Sequence, residues 1–248
     1  MGAIYIMWLR EIKRFWRSKA RIVGSLAQPL LFLIALGFGF GPIFQKAGGG
    51  NYIEFLAPGI IGMTILFSSV FMGIQVIWDR QFGFLKETLV APVSRYRIML
   101  GRTLGGATVA SLQGLIVFFI AMLIGFKPQN LFLIPFVFIF MFLIAILFTA
   151  LGTAIASRLE DMQGFQLIMN FLVMPIFFLS GALFPLDTLP NAIQVAIKIN
   201  PLYYGIDGLR TALTGASQIN LLPDFFVLII LASIVTIIGS YLFSKIEV

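Results

Sequence analysis

The sequence predicts an all-α membrane protein of six transmembrane helices, preceded by an amphipathic helix and carrying short external helices before the last span. Three observations predict it. Six long stretches, residues 22–41, 55–78, 103–125, 131–156, 162–184 and 225–244, contain no Asp, Glu, Lys or Arg. Each has the ~20 residues a helix needs to cross a ~30 Å hydrocarbon layer. The chain is 60% hydrophobic and only 11% charged, whereas soluble domains run near ~45–50% apolar and ~25% charged. The apolar runs are continuous rather than alternating, which points away from a β-barrel and toward helices that satisfy their own backbone groups in lipid.

Residues 5–21 open the chain as an interfacial helix. Tyr5, Trp8, Leu9, Ile12 and Trp16 share one face, and Arg10, Lys13, Arg14, Arg17 and Arg21 another. Such a helix lies in the membrane plane, rings in the acyl boundary and cations at the headgroups. It is either a passive anchor or a docking surface, and the two roles are compatible. The run from 22 is not read as a cleaved signal, because some twenty residues of helical pattern precede it. Met1-Gly2 is not followed by the Ser or Thr that myristoylation requires, since Ile6 stands there.

The first span holds Pro29, expected to bend it, and Gly37 and Gly41, spaced for close helix approach. A flexible loop at Gly48–Gly50 follows. After the second span comes the longest cytoplasmic loop, 79–102, with a short helix ended by Pro92. Phe82, Phe84, Leu85, Leu89 and Val90 give the segment an apolar side and Lys86 and Glu87 a polar one, with the helix around residues 83–90. It is a surface for another protein or, alternatively, rests on lipid. The external segment 185–224 is too apolar for a disordered loop and reads as two helices, 190–199 and 203–213. Asp207 and Arg210, three apart, are placed to pair and stabilise that cap.

Charge sets the topology. Thirteen of the 17 Lys and Arg fall before span one, between spans two and three, after span four or after span six. The positive-inside rule then puts both termini in the cytoplasm of a plasma-membrane protein. The same rule accounts for the net charge of +7 through topology and anionic lipid rather than nucleic acid.

Enzyme chemistry has no foothold. There is no Cys and no His, hence no thiolate metal site and no histidine base. No Gly-Lys-Ser or Gly-Lys-Thr occurs, so the usual phosphate loop is lacking. The uncharged spans also lack the carboxylates with which ion-coupled carriers and pumps work. Energy for transport is expected from outside the chain.

The run IQVIWDRQFGFLKETLVAPVSR, Ile74 to Arg95, resembles the first cytoplasmic loop of ABC-2 type transporter permeases. The likeness is nearest to the drug-resistance exporter branch of daunorubicin-exporter type. It continues through Leu100-Gly101-Arg102, Gln113-Gly114, FLSGALFP (Phe178–Pro185) and NPLYYGIDGLR (Asn200–Arg210). The resemblance implies a permease subunit that moves an amphipathic drug, lipid or lipid-linked glycan. ATP and Mg would then be held and used by a separate nucleotide-binding subunit, with no cofactor in this chain. It further implies a connecting helix bearing Arg10, Arg14 and Trp16, and a coupling helix bearing Gly83, Phe84, Leu85, Glu87 and Thr88. A second permease copy would face spans one and five at Pro29, Leu33, Gly37, Gly41, Pro175 and Phe177. A self-sufficient carrier or channel and a non-transporting membrane assembly factor are the alternatives.

Overall fold

A computed structural model describes residues 2–46, 51–184, 189–216 and 218–246. All regular structure among them is helical. In chain order it comprises α1 (Gly2–Arg17), α2 (Lys19–Lys46), α3 (Tyr52–Phe71), α4 (Ile74–Gln81), α5 (Phe84–Val90) and α6 (Arg95–Ile124). A 3-10 turn (Leu131–Leu133) leads into α7 (Ile134–Ala156). Then follow α8 (Met162–Phe178), α9 (Asn191–Ile199), α10 (Pro201–Thr214) and α11 (Leu221–Ser244).

Among the described residues, five helical stretches are long and apolar enough to cross a membrane: Ile22–Lys46, Tyr52–Gln81, Arg95–Ile124, Leu131–Ala156 and Leu221–Ser244. The stretch expected at 162–184 forms a helix of 17 residues, α8, and stops at Phe178. The residues after it are apolar, but Gly181 adopts φ 71° and turns the chain back. Ser180, Ala182 and Leu183 are buried in that turn. Hydropathy alone does not see this reversal, because an apolar turn packed against protein reads like an apolar helix.

The centre of the bundle is α3. Seventy-two per cent of its membrane window is buried within the chain, against 17% for α2 and for α11. The inner position follows from Leu56, Ile60, Ile61, Ile65 and Leu66, which present apolar side chains all round the helix. Helices α6, α7 and α2 pack on it, and α11 packs on α7. The peripheral helices leave Leu, Ile and Phe outward, as lipid requires.

Boundaries shift where charges had been read as loop. Helix α6 begins at Arg95, not near 103, because Arg95, Arg97 and Arg102 extend it below the apolar window. Helix α1 spans Gly2–Arg17, and a break at Ser18 separates it from α2.

The two helices expected before the last span are present as α9 and α10. Helix α10 goes deeper than an outer cap. Leu202, Ile206, Leu209 and Leu213 are fully buried against α3, α7 and α11. Asn200 holds its start: the side-chain oxygen accepts from Leu202 N at 3.0 Å, and Nδ2 donates to the Leu179 carbonyl at 2.6 Å. Asp207 and Arg210 do not pair. Asp207 accepts the Gln218 and Ile219 backbone N–H groups at 3.1 and 3.0 Å. Arg210 donates to the Gly181 carbonyl at 3.0 Å and lies 4.3 Å over the Phe55 ring. Gly48–Gly50 and Pro185 lie outside the described residues.

Candidate functional site

Four helices, α1, α4, α5 and α6, meet at one end of the bundle around Asp79. Helix α1 presses its apolar side along α6. The approach needs glycine on α6: a Cβ at Gly101 would lie 2.7 Å from Met7 Cβ, and one at Gly105 would lie 2.7 Å from Glu11 Cβ. Trp8 Nε1 donates to Thr108 Oγ1 at 3.0 Å and fixes the register.

Asp79, only 3% exposed, sits at the end of α4. Its Oδ2 accepts from Arg102, itself 4% exposed. Its Oδ1 accepts from Arg10 at 2.7 Å and lies 3.5 Å from Arg14. Arg14 also donates to Gln75 at 3.4 Å. One carboxylate thus ties the amino-terminal helix to both the second and third membrane helices. A buried charge is tolerable only when paired and hydrogen-bonded in this way. Next to this node, burial pushes the Glu11 carboxyl above its ordinary range; Arg102, Arg10 and Arg14 oppose the shift and Asp79 adds to it.

The sign gives a test. A carboxyl raised in the folded state stabilises the fold below its unfolded value and loses that contribution as pH rises through the folded value. Glu11→Gln is therefore expected to melt like the parent near pH 4 and above it at pH 8. Melting below the parent at pH 8 would show instead that the charge is held favourably by its arginines.

Helix α5 follows directly. Gly83, with φ 79°, makes the left-handed step that starts it, a conformation open to glycine at little cost. Leu85 is fully buried and seats the helix on the bundle, whereas Phe84 is 53% exposed. Glu87 is exposed and Thr88 half-buried, its hydroxyl donating to the Phe84 carbonyl at 2.8 Å. Arg10 lies 5.5 Å from the Phe84 ring centroid, so the Asp79 node and α5 share a side chain. Arg80 donates to the Leu159 carbonyl at 3.4 Å and Gln81 to that of Glu160 at 3.1 Å, linking this end to the loop before α8. Trp16 is 63% exposed on α1.

The residues expected to face a second copy divide. Leu33 and Phe177 are buried in this chain's own core. At Gly37 a Cβ would lie 3.1 Å from Ile53, so the glycine serves the α2–α3 contact inside the chain. Pro29 is buried and lines a cavity of ≈ 230 Å3 with Gln28, Ser68 and Gln113. Only Gly41, facing open space, and Pro175, exposed on α8, point away from the chain. The outward positions of these helices are instead Ile34 and Phe38 on α2, and Phe171 and Phe178 on α8. Periodicity cannot tell which side of an all-apolar helix meets its own chain.

The Asp79 node is the feature the sequence reading missed. A signal existed: Asp79 stands at the edge of an apolar run, and Arg10 and Arg14 are four apart on one helix face.

Among the described residues no group of three or more His, Cys, Asp or Glu could hold a metal ion. Comparison with known proteins agrees with the loop likeness. Residues 2–214 match the family described as ABC-2 type transporter. Over 216 residues the chain is 30% identical to ycf38 of Cyanophora paradoxa, covering 84% of this chain and 72% of the relative. It is 29% identical over 215 residues to Nodulation protein J of Rhizobium leguminosarum bv. trifolii (85% and 78% covered). It is 27% identical over 230 residues to Inner membrane transport permease YadH of Escherichia coli K12 (92% and 89% covered). The chain therefore belongs to the ABC-2 type transporter family, as a membrane permease subunit.

Proposed function

We propose that this permease moves an amphipathic molecule, a drug, a lipid or a lipid-linked glycan, with ATP and Mg bound and hydrolysed on a separate nucleotide-binding subunit. The observation that carries the reading is α5, a short helix seated by buried Leu85 that offers Phe84 and Glu87 outward, beside the node that joins α1, α4 and α6. A push on α5 reaches the membrane helices through Arg10, Asp79 and Arg102. Helix α1 is then the connecting helix and α5 the coupling helix. The relatives reported above, a nodulation protein and transport permeases, support the family and do not favour its drug-exporter branch.

In this reading the chain spans the membrane six times. Helix α8 is the fifth crossing in chain order and completes the six, since its 17 residues lie at the short end of the ~17–25 that span a bilayer. The cation distribution places both termini in the cytoplasm of the plasma membrane and residues 185–224 outside. A second copy packs against the outward faces of α2 and α8, through Ile34, Phe38 and Phe178 rather than Leu33 and Phe177. Their exposure in the single chain supports this choice.

The test is reconstitution. Purified alone, the chain is expected to bind no ATP by calorimetry. Co-purified with its nucleotide-binding subunit in vesicles, it is expected to show ATPase activity that rises with cargo. Nucleotide binding by the isolated chain, or cargo movement without the second subunit, would favour a self-sufficient carrier and contradict the proposal.

A further inference from the structure

Beside the Asp79 node, a groove of ≈ 680 Å3 opens between α1, the end of α4 and the start of α5. That volume is within the ~300–1,000 Å3 typical of small-molecule sites. Its two walls differ in kind. Arg10, Lys13, Arg14 and Arg17 line it from α1, with Ile6 and Leu9 beside them. Trp78, Phe82 and Phe84 line it from the other side, with Trp78 and Phe82 stacked at 5.1 Å. These rings are 40%, 66% and 53% exposed.

The acid lining the groove, Asp79, has both oxygens committed to arginines. Lys13 and Arg17 are exposed and take no part in the ion pairs formed among the described residues. The groove therefore keeps unspent positive charge beside unspent aromatic surface. A row of cations alone is a solvated face, and a row of rings alone dips into lipid. Together in one groove they match a ligand with an anionic head and an apolar tail.

We propose that this groove binds one anionic phospholipid, its phosphate between Lys13 and Arg17 and its glycerol and first acyl carbons on Trp78 and Phe82. Guanidinium and ammonium groups hold phosphate oxygens through charge-assisted hydrogen bonds. A lipid is the source that the setting favours over a soluble phosphate, because α1 has the amphipathic pattern of a helix lying in the interface, which puts the groove beside bilayer lipid. Phe84 and Arg10 belong both to this groove and to the α5 contact, so an occupied groove braces α5 from behind. The inference rests on α1 as an interfacial helix and shares Phe84 and Arg10 with the proposed α5 contact.

The test uses the full chain purified from membranes containing phosphatidylcholine and phosphatidylglycerol, with retained lipid counted by native mass spectrometry. The parent is expected to keep one phosphatidylglycerol. Lys13→Ala/Arg17→Ala is expected to weaken that retention by about tenfold or more, because each cation near a lipid surface contributes several-fold in affinity. Lys86→Ala/Arg97→Ala, which removes two exposed cations elsewhere on the same end of the bundle, is expected to keep it. Equal loss in both variants would reduce the effect to general surface charge and overturn the site. Displacement by inorganic phosphate as readily as by excess phosphatidylglycerol would make it a free-anion site and overturn the lipid. Expulsion of the lipid when the nucleotide-binding subunit is added would make the groove a protein seat and overturn it as well. Failure of the permease to couple to any ATPase would leave lipid retention unchanged, which separates the two readings.

Discussion

Asp79→Ala should be the most destabilising single substitution at the α1–α4–α6 junction. It strands Arg102, a guanidinium 4% exposed whose Nη2 has Asp79 as its partner. Removing one member of a buried ion pair costs about 3–5 kcal/mol, since the remaining charge stays desolvated. Arg10 and Arg14, 28% and 37% exposed in their side chains, regain water and add little. The expected result is a lowered melting temperature of the detergent-solubilised protein, together with faster proteolysis of α1. The double variant Asp79→Ala/Arg102→Met should recover much of the loss, because replacing both charges by apolar groups is often neutral. It should not recover transport, since the Arg10 link from α1 to α4 is still missing. A single variant as stable as the parent would show that the node is ornamental.

The second large effect belongs to α5. Phe84→Ala removes an exposed ring from the surface that, in the proposed reading, α5 offers to the nucleotide-binding subunit. Buried aromatic anchors concentrate interface energy, and truncating one costs ~2 kcal/mol or more, a loss of roughly thirtyfold in affinity. Glu87→Arg reverses the charge that would accept hydrogen bonds from a basic residue. Both variants should insert and melt normally, because both side chains are exposed. Both should lower export, and the milder one should leave ATP hydrolysed without cargo moved. Leu85→Ala is the contrast. Leu85 is fully buried, so its truncation should cost about 2–5 kcal/mol of local stability and loosen α5 itself. Normal export by Phe84→Ala and Glu87→Arg at matched expression would leave α5 a helix resting on lipid.

The sequence carried the helical class, the amphipathic start and the short helix after Gly83, each for a physical reason. Uncharged runs of twenty residues admit few other structures. Arg10, Lys13, Arg14 and Arg17 on one face cannot sit in a bilayer core. Gly83 before an apolar–polar alternation, with Pro92 after it, bounds a short helix at both ends. The parts that stayed hidden depend on contacts between distant segments. Nothing local says that Asp79 meets Arg102 across twenty-three positions, or that α1 lies on Gly101 and Gly105. Leu33 and Phe38 look alike in a uniformly apolar helix, and only the packing of α3 separates the inner from the outer. The turn at Gly181 was invisible because an apolar turn is stable when the chain itself covers it. Asp207 and Arg210 had the spacing to pair, but the Gln218 and Ile219 amides and the Gly181 carbonyl offered each a closer match.

Whether α5 is the seat of the nucleotide-binding subunit can be read from one bond. The chain contains no cysteine, so Glu87→Cys introduces a single reactive thiol on the exposed side of α5. With a short thiol-to-amine cross-linker, in membranes holding both subunits, a covalent adduct to the nucleotide-binding subunit is the expected product, changing in yield when ATP closes the partner. A Phe38→Cys thiol on the outward face of α2, where no span offers an amine, should instead give permease–permease disulfides under a mild added oxidant and no adduct to the ATPase. Absence of the Glu87 adduct, with that thiol freely labelled by a soluble reagent in the presence of the assembled partner, would contradict the coupling role of α5.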